Sequence, residues 1–347
     1  MNPRVLLVGN YLSGANGSRT VGEEVALRLR QTGWSVLTTS SEPNRLLRLA
    51  DMLQCVFRRR HEYDVAQVEV YSYAAFIWAE AVCALLRRLG KPYILTLHGG
   101  QLPEFATRHP GRVRRLLNSA RIVTTPSRYL HDGMLPYRAD LFSLPNAIEL
   151  DAYRYRLRQG ASPSLVWLRA FHEIYNPTLA PKVVKLLVEK YPDVHLTMVG
   201  PDKGDGSFQR TQEEAARLGV ADRLTLPGGV PKTDVPAWLT HGDIFLNTTN
   251  VDNTPVSVIE AMATGLCVVS TNVGGLPDLL EHDRTALLVP PNDAAAMANA
   301  VTQILRDPLL AAHLSGSARS WAEAYDWSAV LPMWELQFNT VAANGPS

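Results

Sequence analysis

The sequence is poor in cysteine and has no long apolar run. Its three cysteines, Cys55, Cys83 and Cys267, lack metal-ligand spacing and are too few for a disulfide scaffold, so a reducing compartment fits best. The N-terminal stretch MNPRVLLVGN is too short to be the apolar part of a secretory signal. The most apolar helical stretch, YAAFIWAEAVCALLRR, carries Glu80 and is too short to span a bilayer. We therefore expect a cytoplasmic protein without a membrane span.

The charge is nearly balanced overall but unevenly distributed. The net charge of the 347 residues is +1. Residues 1–150 hold 19 of the 34 Lys and Arg residues and 12 of the 33 Asp and Glu residues, which gives +7 there and −6 in the remainder. The basic residues cluster in FRRRHEY (57–63) and RHPGRVRR (108–115). These clusters either form a solvated basic face or serve as a contact surface. The partner of such a surface would be the inner face of an anionic membrane or a phosphate-bearing acceptor.

Strand and helix patterns alternate through both halves of the chain. The predicted strands are short, rich in Val, Ile, Leu and Thr, and ended by Gly, Ser or Pro. They cover residues 5–9, 35–39, 65–70, 93–99, 121–127 and 141–146 in the first half, and 165–170, 194–200, 223–228, 243–249, 267–271 and 286–291 in the second. Such alternation implies parallel sheets with right-handed crossovers.

This pattern predicts an α/β protein of two doubly wound, Rossmann-like domains that face an interdomain cleft. We expect an N-terminal domain over residues 1–150, a C-terminal domain over 151–326, and a final helix over 327–347 that crosses back to the N-terminal domain. The charged segment RYRLRQGASPS (154–164) is expected to be the linker, because its Gly and Pro break a helix. Ligands of doubly wound sheets bind beyond the carboxyl ends of the strands, so we expect the site there.

The stretch DNTPVSVIEAMATGLCVVSTNVGG (252–275) predicts an anion site at a helix start. Thr254 is a good N-cap, and Pro255 suits the first helical position. The amides of Val256 and Ser257 would then be free or only partly capped, and the helix dipole would add partial positive charge. A phosphate ester is the natural occupant of such a site.

Two carboxylates accompany this helix start. Glu260 lies about a turn and a half into the helix, where it can accept hydrogen bonds from sugar hydroxyls. Asp252 precedes the helix, on the opposite side of the anion. The alternative interpretation is that Asp252 only caps the turn and Glu260 is solvated.

With its neighbours, this stretch resembles the signature of the family-4 retaining glycosyltransferases of GT-B architecture. That signature is Glu, seven residues, Glu-Ala-Met-Ala-x-Gly, a strand, and Gly-Gly. The likeness extends over LPGGVPKTDVPAWLTHGDIFLNTT and TALLVPPNDAAAMANAV, and it covers essentially the whole second domain. The first domain matches more loosely, through LTLHGG, TPSRYL and LPNAIE.

The resemblance implies roles for the residues around the helix start. Glu260 would hold the ribose hydroxyls of a nucleotide-sugar donor. Asp252 occupies the place of the first Glu of the signature, beside the donor sugar. The backbone from Thr254 to Ser257 would contact the diphosphate or the sugar.

The resemblance also implies roles further along the chain. Arg169 matches the arginine that binds the diphosphate, and His98 in LHGG matches a first-domain histidine near the donor sugar. Gly229 and Val230 belong to a segment that resembles the loop holding the base. Asp252, Arg169 and His98 are therefore the predicted catalytic residues.

Two glycines follow the first predicted strand. Gly14 and Gly17, in LSGANGSRT, either let the backbone approach a ligand phosphate or the donor sugar, or simply form a turn. The stretch is neither a dinucleotide fingerprint nor a phosphate loop ending in Gly-Lys-Ser/Thr. Its pattern argues against dehydrogenases and ATPases.

Two departures from the family pattern affect the expected anion site. Asp252 is one methylene shorter than the usual Glu. The segment RAFHEIYNP offers His172 and Asn176 where the family usually has a Lys, and the next lysine is Lys182. Arg19 is a candidate to compensate for the missing charge.

The function predicted from these residues is the transfer of a hexosyl unit from a UDP- or GDP-sugar to an acceptor hydroxyl with retention of configuration. The acceptor would be a glycan or a lipid-linked glycan of cell-surface polysaccharide or glycolipid synthesis, and no nucleic acid is expected as a partner. Without an Asp-x-Asp motif, no metal and no cofactor beyond the donor substrate are expected. Two alternatives stay open: a nucleotide-sugar epimerase of the same architecture, and a catalytically degenerate scaffold that binds nucleotide sugars.

Overall fold

The computed structural model describes residues 2–12 and 20–343, apart from the side chain of Leu46. Gly14, Gly17 and Arg19 lie outside the described residues. The chain divides into two compact units. The first comprises Met1–Asn146 and Ser328–Ser347, and the second comprises Ala147–Trp327.

The first unit is built on a parallel sheet with six described strands. They are β1 (Val5–Val8), β2 (Val36–Thr39), β3 (Val65–Val70), β4 (Tyr93–Leu97), β5 (Ile122–Thr125) and β6 (Leu141–Ser143), arranged in the order β2-β1-β3-β4-β5-β6. The central strands β1, β3 and β4 are buried along their whole length, as expected for a sheet covered on both faces.

The helices of the first unit cover its sheet. They are α1 (Val21–Gln31), α2 (Arg45–Arg58), α3 (Phe76–Arg88), α4 (Leu102–Arg108), α5 (Pro110–Leu117) and α6 (Arg128–Met134). The last helix of the chain, α14 (Trp327–Ala343), packs almost entirely in this unit. Its Glu335 accepts hydrogen bonds from the Trp34 indole at 3.0 Å and from the Thr32 hydroxyl at 3.2 Å, which fixes α14 to the end of α1.

The second unit repeats the scheme. Its described strands are β7 (Ser164–Leu168), β8 (His195–Val199), β9 (Leu224–Gly228), β10 (Ile244–Asn247), β11 (Cys267–Thr271) and β12 (Ala286–Val289), in the order β12-β11-β10-β7-β8-β9. All pairings between them are parallel. Since β7 starts one half of the sheet and β10 starts the other, the strand order reverses between these two neighbours. In doubly wound sheets, ligands bind at such a switch point.

The helices of the second unit follow the same alternation. They are α7 (Leu179–Leu187), α8 (Ser207–Arg217), α9 (Val235–Leu239), α10 (Val256–Thr264), α11 (Leu276–Leu279), α12 (Ala294–Arg306) and α13 (Pro308–Ala322). Within the described ranges, no helix has the length and hydropathy needed to cross a bilayer.

The fold class predicted from the sequence, two doubly wound Rossmann-like domains, is confirmed by these two parallel sheets. Each of the twelve predicted strands is present, and most end one to three residues earlier than expected. The expected linker is wrong, however. Residues 154–164 belong to the second unit, where the Arg158 side chain is only 1% exposed and donates to the Gly242 carbonyl and to Asp243.

One glycine fixes how two strand ends of the second unit meet. Gly200 follows β8 with φ +154°, and its amide donates to the Gly228 carbonyl at 2.9 Å. A Cβ at this position would overlap the carbonyl oxygen of Arg169, the residue that follows β7. Only a glycine therefore lets the β8 end lie against the β7 end.

We expect Gly200→Ala to destabilise the second unit by about 3 kcal/mol or more, because backbone atoms cannot move aside as a side chain can. Gly219→Ala is the matched control: Gly219 has φ +68°, but no heavy atom lies within 4 Å of the added Cβ. It should cost only about 1–2 kcal/mol of backbone strain. Thermal and urea denaturation of both variants measure the difference, and equal losses would contradict the close approach.

Candidate functional site

At the switch point of the second sheet, an arginine and an aspartate meet. Arg169 follows β7, and Asp252 lies beyond the end of the neighbouring strand β10. The Arg169 guanidinium forms an ion pair with the Asp252 carboxylate, and both side chains are 13% exposed. The sequence identified both residues, but it placed them on opposite sides of a ligand rather than in direct contact.

The surroundings of this pair hold it in place from two sides. The guanidinium carbon of Arg169 lies 4.0 Å from the centre of the Tyr175 ring, a cation–π contact. The Asp252 carbonyl accepts the Gly275 amide at 3.1 Å, and a Cβ on Gly274 would overlap that carbonyl. Arg169 Nε is buried, and no described group accepts a hydrogen bond from it. This unused donor makes Arg169 a candidate to bind an anion.

Helix α10 begins one residue later than the sequence predicts. Pro255, not Thr254, is the N-cap, because Pro255 has extended backbone angles and helical geometry starts at Val256. The amides of Val256 and Ser257 lie in the first turn, where a helix has no acceptors of its own. Ser257 is 7% exposed, and its hydroxyl oxygen has no hydrogen-bond partner among the described residues. An unpaired hydroxyl in the first turn of a helix favours a polar ligand at this end.

The opposite end of α10 is capped by arginine side chains. The Arg158 guanidinium donates to the carbonyl of Thr264, the last helical residue, and Arg319 donates to the Ala263 carbonyl at 2.9 Å. Gly265 then ends the helix with φ +75°. Cations at a helix C-terminus are stabilising, since they face the negative end of its dipole. The buried Arg158 thus orients the helix whose other end forms the candidate anion site.

Glu260, in the middle of α10, is a buried carboxylate with two donors on one oxygen. It is 2% exposed, and its Oε1 atom accepts from the Tyr153 hydroxyl at 2.5 Å and from the Lys232 ammonium. It is therefore neither solvated nor unpaired. Sequence reasoning missed both partners, because they lie 107 and 28 residues away along the chain.

The loop expected to hold a base follows β9. Gly229 lies close to Pro201, since a Cβ on it would be 3.1 Å from the Pro201 Cβ. Val230 packs, with Val256, against the hydrophobic cluster that contains the buried face of α10. This loop is therefore attached to the same helix as the candidate anion site, and Lys232 follows it directly.

In the first unit, the predicted residue His98 lies beside a buried glutamate. His98 follows β4, and its ring stacks on Tyr71 with centroids 5.2 Å apart. Its Nε2 is 3.9 Å from Oε1 of Glu69, whose other oxygen accepts from the Tyr71 hydroxyl at 3.1 Å and from the Asn10 amide at 3.3 Å. Burial lowers the pKa of His98 to about 4, so the imidazole is neutral at physiological pH.

Glu69 fills the switch point of the first sheet, between the ends of β1 and β3. Gly9 and Gly22 leave room for it: a Cβ on either would collide with its carboxylate. Burial raises the pKa of Glu69 to about 7, against the hydrogen bonds that it accepts. The sequence signal for this residue is a single acidic side chain in the otherwise uncharged strand VAQVEV, and it was overlooked.

The structure thus brings together most of the second-unit residues predicted for the site. Arg169, Asp252, the start of α10 and the loop after β9 all lie at the carboxyl edge of one sheet. His98 lies at the carboxyl edge of the other sheet, in a separate unit. The roles of all these residues stay predictions.

Comparison with known proteins finds a family match within the second unit. Residues 159–321 match the family described as "Glycosyl transferases group 1". This range includes Arg169, Asp252 and all of α10. Residues 159–321 are therefore similar to group 1 glycosyltransferases, which agrees with the enzyme class predicted from the sequence.

Curated relatives agree with this class. The chain is 26% identical over 274 residues to a D-inositol 3-phosphate glycosyltransferase of Streptomyces avermitilis, covering 73% of this chain and 59% of the relative. It is 28% identical over 236 residues to a GDP-mannose-dependent alpha-(1-6)-phosphatidylinositol monomannoside mannosyltransferase of Mycolicibacterium smegmatis, covering 62% of this chain and 61% of the relative. The chain thus spans about three fifths of the length of these relatives.

Solved structures share the fold over the whole chain. Sucrose-phosphate synthase from Thermosynechococcus elongatus superimposes with a TM-score of 0.82 at 18% identity, covering 99% of this chain and 100% of the other. HepE of Anabaena, in complex with UDP, gives a TM-score of 0.75 at 16% identity, covering 97% and 100%. At these identities the likeness establishes the GT-B type of fold.

The buried Glu69 predicts a pH dependence of stability. Its folded pKa of about 7 lies above the ordinary value of 4.5, so the folded protein binds more protons between these values. Stability from this group is present at low pH and lost as the pH rises through about 7, a change of about 3 kcal/mol. We expect Glu69→Gln to remove this loss and to gain stability relative to wild type between about pH 5 and about pH 8.

Urea denaturation of wild type and Glu69→Gln at both pH values measures the effect. Glu104→Gln, at an exposed carboxylate of the same unit, is the control and should follow wild type. His98 titrates with the opposite sign, and it is present in all three proteins. Parallel curves for wild type and Glu69→Gln would contradict the raised pKa.

Proposed function

We propose that this chain is a retaining glycosyltransferase of family 4. It transfers a hexosyl unit from a UDP- or GDP-sugar to an acceptor hydroxyl, without a metal ion or a resident cofactor. Its donor diphosphate binds at the start of α10 and at Arg169, the base lies against Gly229 and Val230, and the pentose hydroxyls bind Glu260.

One observation carries the proposal: two buried polar side chains of the second unit have no described hydrogen-bond partner. They are Arg169, through Nε, at the end of β7, and Ser257, through its hydroxyl, in the first turn of α10, which follows the neighbouring strand β10. A buried donor without an acceptor costs about 1–3 kcal/mol. A diphosphate supplies several acceptor oxygens and negative charge, so it satisfies these donors and the helix dipole together.

The same groups favour the departure of the diphosphate. As the acceptor oxygen bonds to the anomeric carbon, the bond from that carbon to the phosphate oxygen breaks, and the leaving oxygen takes the acceptor proton. Negative charge grows on the diphosphate during this step. Donors that are already in position stabilise it without reorganisation. His98 is neutral and buried, so its imidazole can offer a hydrogen bond but no charge.

The named relatives support a phosphorylated or lipid-linked acceptor, in cell-surface glycan or glycolipid synthesis in the cytoplasm. One relative acts on D-inositol 3-phosphate and another on a phosphatidylinositol monomannoside. In the first unit, Arg60 lies over Phe57, whose side chain is 49% exposed on the basic segment 57–63. A basic surface with an exposed aromatic ring suits peripheral contact with an anionic membrane. Arg59 is paired with Glu62, which reduces the charge available.

Two alternatives are separated by product analysis. An epimerase changes the donor without an acceptor. A degenerate scaffold binds the donor and produces nothing, and the occupation of Arg169 and Glu260 by protein partners is the observation that favours it. The test is a thermal-shift panel of nucleotide-diphosphate sugars, followed by mass spectrometry with candidate acceptors. Binding with a glycosylated product supports the transferase, and a panel without any stabilising nucleotide would refute it.

For Glu260→Gln we expect donor KM to rise about ten- to a hundredfold with a smaller effect on kcat, because an ionised acceptor of hydroxyl protons becomes a neutral amide. The steady-state KM and kcat for the donor found by the panel measure this. Glu281→Gln, an exposed glutamate of the same unit, is the control. An unchanged KM would remove Glu260 from the donor site.

For Arg169→Ala we expect kcat to fall about ten- to a hundredfold, more than donor affinity falls, since the charge it faces grows in the transition state. Arg217→Ala, which removes an exposed arginine paired with Glu214, is the control. Rates at saturating donor compare the three proteins. A loss of affinity with kcat unchanged would assign Arg169 to ground-state binding only.

A further inference from the structure

The Lys232 ammonium forms an ion pair with Glu260, the carboxylate that the proposed function assigns to the donor pentose. Its partner Glu260 is buried, and the ion pair is formed on Oε1, the oxygen that also accepts from the Tyr153 hydroxyl. A pentose hydroxyl that binds Glu260 must therefore share the carboxylate with the ammonium or displace it from Oε1.

Lys232 is placed so that it can leave. It belongs to a short turn, residues 232–234, between β9 and α9, and its side chain is 34% exposed. A lysine stem has four rotatable carbons and its ammonium tolerates many directions of approach. Tyr153 continues to donate to Oε1 after the ammonium moves, so the buried oxygen is not left without a partner.

The anion site lacks charge without this lysine. A nucleoside diphosphate brings at least two negative charges, whereas the charge of Arg169 is already balanced by Asp252. Lys182, the next lysine after Arg169, lies 3.8 Å from Glu214 and is engaged there. Lys232 contacts α10, the helix whose first turn forms the proposed site, and within the described ranges its ammonium pairs with Glu260.

We propose that Lys232 is the second cation of the donor site. It pairs with Glu260 in the free protein and moves onto the diphosphate when the pentose hydroxyls take its place on Glu260. This inference rests on the proposed function. Lys232 would supply the positive charge that the family usually has in a lysine shortly after Arg169.

The exchange couples recognition of the pentose to recognition of the diphosphate. A nucleoside without phosphates must displace the ammonium and gives it no anion in return. A nucleoside diphosphate supplies both replacements at once. The protein thereby discriminates against nucleosides more strongly than separate contacts would, since each half of the ligand depends on the other.

The test compares ligands with and without phosphates on matched variants. Dissociation constants are measured by calorimetry for UDP and GDP, and by displacement of the bound diphosphate for uridine and guanosine. For Lys232→Met we expect diphosphate affinity to fall about ten- to a hundredfold while nucleoside affinity is unchanged or rises. Lys232→Arg keeps the charge and should stay within about threefold of wild type for the diphosphate.

Lys203→Met is the matched control. Lys203 follows β8 at the same edge of the sheet, and its amide donates to the Phe171 carbonyl at 3.2 Å. It should bind both ligands as wild type does. Equal losses for nucleoside and diphosphate in Lys232→Met, or a selective loss in Lys203→Met instead, would overturn the inference and leave the proposed function intact. A wild-type protein that binds neither diphosphate refutes both.

Discussion

The candidate site depends on one constraint, the reversal of strand order between β7 and β10. Because the connections leave these neighbours in opposite directions, the carboxyl ends of the two strands border a crevice, as in other doubly wound sheets. Arg169 and Asp252, 83 residues apart, meet in that crevice as an ion pair. Gly200 and Gly274 allow the adjoining backbones to approach closely enough to hold it. Everything that the second unit offers a ligand is arranged around this point.

The crevice at the switch point of the first sheet has a different lining. This switch point lies between β1 and β3, and it is filled by the side chain of Glu69 in a slot that Gly9 and Gly22 leave open. A carboxyl group held there, with its pKa raised to about 7, disfavours a phosphate at the same spot. The two sheets differ in strand order, and the buried carboxyl group at the switch point of the first makes the second unit the better candidate for an anion site.

The sequence predicts elements better than it predicts pairs. All twelve strands follow from apolar runs bounded by Gly, Ser and Pro, and α10 ends at Gly265 as expected. The helix start is one residue off, because a proline N-cap leaves no side-chain signal. The failures involve contacts between residues far apart along the chain. The Glu260–Lys232 pair and the burial of Arg158 depend on tertiary packing, which no local pattern encodes.

The net charge of the second half of the chain bears on how an anionic donor could be bound. Residues 151–347 carry a net charge of −6, so the long-range field of the second half repels an anion rather than attracting it. The proposed donor site therefore relies on nearby groups, namely the first turn of α10, Arg169 and the lysine beside Glu260. Short, partly buried contacts are weakly screened by salt, whereas the repulsion between exposed charges is screened strongly. If the donor binds as proposed, added salt should weaken its binding less than it would in a site that relies on a basic surface.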